Sequence, residues 1–319
     1  MNKANVLVIG AGVSGLSTAI LLLKKGYTVT IWAKDLPPNT TSNKAAALWY
    51  PYLCFPREKA IPWSKSTFEY LQQEIMNQPE SGCIYRTVTE IFDTHQPEPW
   101  WRAAFDGPVE RPTITELPPG YTDGYRIKTI VIDTSIYMDF LVSMFKKLGG
   151  TLVQKEISSF SEAFADCKLV VNCTGLGSKT LCDDDQLYPV RGQMIKIKAN
   201  GFEQVVVDDD GPNTLCLAVP RVNDIMIGGT AQKDNWNTEV DPADTAEILR
   251  KVRLIAPTIG EIEVISESVG LRPVRKAIRL EAEQIGDNTV VHNYGHGGSG
   301  FTLSWGCAQD AVALVEKSS

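Results

Sequence analysis

Hydrophobic positions along the chain fall into short blocks whose period switches between that of a strand and that of a helix. Val6-Leu7-Val8-Ile9 is wholly apolar, as expected of a central parallel strand covered on both faces. Helical apolar spacing follows over 16–25, Gly26 stops it, and 28–32 reads as a second strand. Residues 63–76 have the spacing of an amphipathic helix, 127–132 of a strand and 135–147 of a helix ending at Gly149-Gly150. Leu152-Val153 opens another strand, and 167–175 is an apolar strand closing in a turn. Strand-like runs recur at 194–197, 204–207, 215–219 and 225–228, followed by a helix over 244–255. The last unit is a strand over 290–294, a glycine-rich turn and a helix over 301–316. The stretch 87–125, rich in Pro, Gly and acidic residues and carrying Trp100-Trp101, predicts strands and long loops of a second, less regular domain. Parallel-sheet patterning at both ends with a different style between them implies an α/β domain interrupted by an insertion.

Composition narrows the class. A chain of 319 residues has room for two domains. A net charge of −7 gives no reason to expect nucleic acid or an anionic membrane as partner. No apolar run approaches the roughly 20 residues that span a bilayer. Seven cysteines, scattered and without a C-x-x-C, predict reduced thiols with neither a disulfide framework nor a metal site. Glu316-Lys317-Ser318-Ser319 carries no S-K-L address, so a cytoplasmic setting is expected.

The chemistry sits in the turns. In Gly10-Ala11-Gly12-Val13-Ser14-Gly15, Gly10 permits a tight turn, Gly12 lets backbone approach a pyrophosphate, and Gly15 lets helix and strand pack closely. The helix N-terminus offers N–H groups and a positive dipole end to phosphates. Asp35 falls about 20 residues after Gly15, where a ribose-binding carboxylate belongs, and Lys34 beside it is either a cofactor contact or a solvated lysine. Thr40, Thr41 and the small residues to Leu48 suit an extended segment running along a cofactor. NAD and FAD both use this unit. The turn Gly295-His296-Gly297-Gly298-Ser299-Gly300 decides between them: a glycine-led helix N-terminus can face a ring oxygen that gains negative charge on reduction, as a flavin does and a nicotinamide does not. Arginines in Gly270-Leu271-Arg272-Pro273-Val274-Arg275 add a site for a carboxylate. FAD and a small carboxylate-bearing substrate are the expected ligands.

Taken together, Gly10-x-Gly12-x-x-Gly15, the segment from Ala45 through Leu48-Trp49-x-Pro51-Tyr52, Asn172-Cys173-Thr174-Gly175, Arg191-Gly192-Gln193, Gly228-Gly229-Thr230, the Arg272 motif and the His292 to Gly298 motif resemble the D-amino-acid oxidase family, which includes D-aspartate oxidase. The resemblance runs over 6–314. It implies a Rossmann-like FAD domain assembled from 1–53, 136–186 and 275–319, beside a substrate domain of mixed β-sheet from 54–135 and 187–274. It implies oxidation of D-amino acids by hydride transfer from Cα to the flavin N5, with O₂ as acceptor and hydrogen peroxide as product. Arg272 is then the clamp for the α-carboxylate and the Gly298 carbonyl the acceptor for the amine, while Arg275 is structural. Cofactor contacts implied by motif are Gly10, Ala11, Gly12, Gly15, Lys34, Asp35, Thr40, Thr41, Ala46, Ala47, Leu48, Ile157, Thr174, Gly297, Gly298, Gly300, Phe301 and Thr302. No general base is required, and His296 reads as a structural histidine.

The chain departs from the family pattern in one place. Leu217 stands where the family carries a tyrosine whose hydroxyl helps hold the substrate carboxylate, and a second, more N-terminal tyrosine is replaced by the Asn213-Thr214-Leu215 region. Tyr50 or Tyr52 is expected to compensate. Alternatives left open are an oxidase for D-aspartate or D-glutamate, with Arg221 meeting the second carboxylate; a glycine- or secondary-amine oxidase; and an NAD(P)-dependent dehydrogenase. The oligomeric state is not fixed by the sequence, a homodimer being one form it allows.

Overall fold

The computed structural model describes residues 4–52 and 54–318. The opening apolar block forms strand β1 (Asn5–Ile9), and Gly10 turns the chain into helix α1 (Val13–Lys24), whose return strand β2 (Thr28–Ala33) lies parallel to β1 with Ile9 beside Trp32. Helix α2 (Arg57–Tyr70) starts six residues earlier than the apolar spacing suggests and continues as a wider helical turn, Leu71–Ile75. Antiparallel β3 (Cys83–Phe92) and β4 (Asp123–Ile132) then frame the irregular segment between them. Helix α3 (Thr134–Lys147) is capped by the Asp133 carboxylate, which accepts from the Ser135 N–H. The chain goes on through β5 (Thr151–Gln154), α4 (Phe160–Phe164), β6 (Leu169–Asn172) and α5 (Ser178–Leu181). Next come β7 (Tyr188–Lys198), β8 (Val205–Asp208), β9 (Cys216–Pro220), β10 (Asp224–Gly228), β11 (Gln232–Lys233) and α6 (Pro242–Ile255). A 22-residue strand, β12 (Val264–Ile285), then β13 (Asn288–His296) and α7 (Gly300–Lys317) complete the fold.

Among the described residues thirteen strands share one sheet in the order β4-β3-β8-β9-β10-β7-β12-β13-β6-β1-β2-β5, with β11 added against β7. The strands β13, β6, β1, β2 and β5 run parallel to one another, the arrangement expected of a nucleotide-binding sheet. The other half is mainly antiparallel. Strand β12 joins them: it pairs with β7 as far as Val274 opposite Tyr188, and with β13 at Val274 opposite His296 and again from Arg279 onward. The two styles of patterning are thus halves of a continuous sheet, and the handover between them carries Arg272.

Helices α1 and α7 pack against each other over the parallel half, and α2 covers α7 from outside. Leu16, Ala19, Ile20, Trp305 and Val312 are almost fully buried there. Helix α6 sets Ile248, Val252 and Ile255 on the antiparallel half against Ile195, Ile197 and Ala218. Among the described residues no helix is long and apolar enough to cross a membrane.

Candidate active site

Strand β1 reaches its C-terminal end in the middle of the parallel half of the sheet, where the backbone bends out of the ladder at a residue that tolerates positive φ. Gly10 has φ of 111°, and a Cβ there would lie 2.4 Å from the carbonyl oxygen of Cys173. Gly15 closes the same unit, since a Cβ on it would stand 2.0 Å from the Gly10 carbonyl oxygen. The N-terminus of α1 therefore sits tight on the strand and opens onto a cavity of about 970 Å³. That is at the upper end of ligand pockets, which hold roughly 300–1,000 Å³.

The cavity is one continuous space. Lys34, Asp35 and Ile157 line one end, Gly10, Ala11 and Gly12 the middle beside Thr40 to Leu48, and Arg272, Tyr52 and Gly298 the other end. Thr174, Gly297, Gly300, Phe301 and Thr302 also line it, as do Tyr50 and Leu217. Every cofactor contact expected from the sequence reaches this wall except Gly15, whose part is the packing just described. Several of these hydroxyls are committed within the protein. Thr40 donates to Asn43 Oδ1 at 2.7 Å, Thr174 to Asn172 Oδ1 at 2.9 Å, and Thr302 to the Tyr50 carbonyl at 2.9 Å. These protons fix the wall itself. Lys34 likewise reaches Glu156 at 2.9 Å across an exposed surface. Ser42, not foreseen, accepts from the Val13 N–H at 3.0 Å and so ties the 40–48 segment to the start of α1.

At the far end, alternation along β7 sorts the side chains. Arg191 and Gln193 face α6, where Arg191 bonds Asp244 at 2.6 Å and Gln193 bonds Thr245 at 2.8 Å. Gly192 between them faces the cavity, and Arg272 lies over it: a Cβ on Gly192 would stand 2.3 Å from Nη1. Arg272 donates to the Thr230 carbonyl at 2.9 Å. No carboxylate oxygen lies within 4.0 Å of it among the described residues, and burial pulls its guanidinium below the ordinary value. A half-buried guanidinium without a carboxylate partner beside a cavity is suited to receive an anionic group.

Tyr52 completes that end. A Cβ on Gly298 would be 2.5 Å from the Tyr52 ring, and Ser299 accepts from the Tyr52 N–H at 2.6 Å, so the ring is laid against the Gly298 backbone. The Tyr52 hydroxyl has no hydrogen-bond partner among the described residues, and burial pushes its pKa up to about 12, which keeps the phenol protonated as a donor. Tyr50 is differently placed. Its hydroxyl donates to the buried carboxyl of Glu90 and accepts from Trp101 Nε1 at 3.1 Å. The free phenol at the Arg272 end is therefore that of Tyr52. Leu217, opposite Val207 in the β8–β9 ladder, gives this wall an apolar surface where a hydroxyl was expected to be lost.

Three further residues are settled by their partners. Arg275 bonds Asp184 at 2.8 Å and the Ala277 carbonyl at 2.7 Å, a structural role as expected. Arg221 is spent on Asp224 through two bonds of 2.7 and 2.8 Å and does not line the cavity, so it offers nothing to a second substrate carboxylate. His296 is 4% exposed, meets Asn293 Oδ1 at 2.9 Å, and is driven down to about 4 by burial, which leaves it neutral. Sequence reasoning missed Asp209. It follows β8 directly and shares the cavity-facing side with Val207, a period-2 signal present in the chain but masked by the Asp208-Asp209-Asp210 run.

A nucleotide-binding βαβ unit, a glycine-led helix at the reactive end and an unpaired arginine together define a flavin-dependent oxidoreductase. The chain belongs to the DAO family of FAD dependent oxidoreductases, whose sequence pattern it matches over residues 5–314. It is 49% identical to a D-amino-acid oxidase of Dictyostelium discoideum over 323 aligned positions, covering 99% of this chain and 92% of the relative. It is 41% identical to a D-amino-acid oxidase of Rubrobacter xylanophilus, covering 98% and 96%. Its fold is similar to that of glycine oxidase from Geobacillus kaustophilus, with a TM-score of 0.82 at 18% identity over 99% of this chain and 95% of that one.

Proposed function

We propose that this protein is an FAD-dependent D-amino-acid oxidase that converts a D-amino acid, O₂ and water into the 2-oxo acid, ammonia and hydrogen peroxide. The observation that carries the reading is Arg272, without a carboxylate partner among the described residues, in the same cavity as a nucleotide-binding turn. The residues present suit FAD: the Gly10–Gly12 backbone and the α1 N-terminus meet the pyrophosphate, Asp35 the ribose, and the α7 N-terminus the flavin ring. When bound, the flavin supplies a two-electron acceptor for the Cα hydrogen and returns those electrons to O₂.

The chain's own residues determine which hydrogen is presented. Arg272 receives the α-carboxylate through two parallel N–H donors, and the Tyr52 hydroxyl donates to the same group. The Gly298 carbonyl accepts from the amine. Two substituents of Cα are then fixed and the side chain points into the remaining space, so one enantiomer alone turns its Cα–H toward the ring. Positioning of this kind supplies on the order of 7–11 kcal/mol in favourable cases. Neutral His296 is bonded to Asn293 and takes no proton. The segments 1–53, 136–186 and 275–319 form the cofactor-holding part in this reading, and the cytoplasmic setting is supported by seven cysteines that are all unpaired. Anaerobic bleaching of the yellow protein by D-alanine but not L-alanine, with peroxide release in air, is the expected result. A protein that stays yellow with every D-amino acid overturns the reading.

A further inference from the structure

The substrate end of the cavity contains one acid that the reaction does not use. Asp209 is 9% exposed, and what remains exposed faces the cavity. Its placement follows from strand alternation. Val206 and Asp208 turn to the far side, where Asp208 accepts from the Tyr121 hydroxyl, from the Gly211 N–H at 2.6 Å and from the Asn213 N–H at 3.0 Å. Val207 and Asp209 turn to the cavity beside Leu215 and Leu217. Asp208 is thus fully satisfied while its neighbour has no hydrogen bond and no ion pair among the described residues. Arg272 and Tyr52 are within electrostatic reach of Asp209, yet no nitrogen of Arg272 comes within 4.0 Å of a carboxylate.

A buried acid without a partner is costly. Burial first, then Asp210 and, more weakly, Asp208 push its carboxyl up to about 7 against the pull of Arg272. The buried acid of Glu90 lies behind it and is itself held well above the carboxylate range. Among the described residues the charged groups acting on Asp209 are acidic apart from Arg272, which the α-carboxylate of a substrate neutralises, so that a second cation is what would balance this corner.

We propose that Asp209 is a specificity-determining residue that pairs with a cationic side chain of the substrate, so that D-arginine, D-lysine and D-ornithine are favoured and D-aspartate and D-glutamate are turned away. This rests on the reading of Arg272 as the α-carboxylate clamp. With the carboxylate on Arg272, the walls of Met194, Val207, Leu215 and Leu217 receive the methylene stem, and Asp209 receives the charge at its end. A second carboxylate in the same place meets like charge instead.

Binding and turnover test this separately on the FAD-loaded protein. 5-Guanidinopentanoate and hexanoate share a carboxylate and a chain, and differ in the terminal cation. The wild-type protein is expected to bind the first at least about tenfold tighter by calorimetry, and Asp209→Asn to erase that difference. In turnover, the ratio of kcat/KM for D-arginine to that for D-norleucine is expected to fall at least about tenfold in Asp209→Asn. Equal binding of the two acids by the wild type overturns the proposal and needs no variant. So does a ratio that the substitution leaves unaltered. Failure of the oxidase reading looks different: no D-amino acid releases peroxide, while the binding preference still reports on Asp209.

Discussion

Arg272 rests on Gly192. The two residues are diagonal neighbours across the β7–β12 ladder, and the guanidinium occupies the volume that a side chain on Gly192 would fill. The Arg191-Gly192-Gln193 triplet thus does two things at once: its flanking side chains lock onto α6, and its centre leaves a seat for the Arg272 guanidinium.

Gly192→Val follows directly. The clashing atoms are the far end of a flexible side chain, so the fold survives and the arginine moves. Losing one charge-assisted contact costs about 1.5–3 kcal/mol, which is roughly a tenfold to hundredfold rise in KM. Steady-state kinetics with D-alanine beside a melting curve checks both halves. A normal KM places the seat elsewhere.

The two tyrosines are expected to separate. Tyr50→Phe removes the partner of a buried carboxyl and of Trp101 Nε1, so it destabilises the protein by about 1–3 kcal/mol. Tyr52→Phe removes a free donor at the substrate end and raises KM with little change in stability. Denaturant midpoints and KM values for both variants decide the matter; a KM effect confined to Tyr50→Phe reverses the assignment.

His296 has a folded pKa of about 4 against an unfolded value of about 6.5. The unfolded chain therefore binds the extra proton first. The stability this histidine allows is fully present above about pH 6.5, falls as pH drops, and levels off below about 4, a loss on the order of 3 kcal/mol. The stability difference between wild type and His296→Gln should shift by that amount between pH 7.5 and 4. A constant difference means that the imidazole reaches solvent protons in the native state.

Arg221→Leu breaks a buried bidentate pair and leaves Asp224 with Lys196, 3.5 Å away, as its remaining cation. The expected cost is about 3–5 kcal/mol of stability, with no change in the relative kcat/KM for D-aspartate and D-alanine. A selective change for D-aspartate would return Arg221 to the substrate site.

Sequence alone determined the βαβ unit at the N-terminus, the glycine-led turn at the C-terminus and the candidate carboxylate receptor Arg272. Each depends on short-range rules: an apolar block of strand length, glycines where backbone must come close, a helix N-terminus after a turn. Glycine spacing gave Gly15 its packing role but also counted it with Gly10 among the cofactor contacts, and only the tertiary structure leaves it out of the cavity wall. What the tertiary structure decided depends on groups far apart in the chain. That β12 carries one sheet through both halves is a matter of pairing partners, which residue patterns do not specify. Whether a polar side chain is free or committed is likewise set by long-range contacts: Glu90 and Trp101 take the Tyr50 hydroxyl, Asp224 takes Arg221, and among the described residues nothing takes the Tyr52 hydroxyl or the Asp209 carboxyl. In a string of three aspartates only the direction of the strand shows which one looks inward, because a carboxylate's chemistry is the same on either face until its surroundings are known.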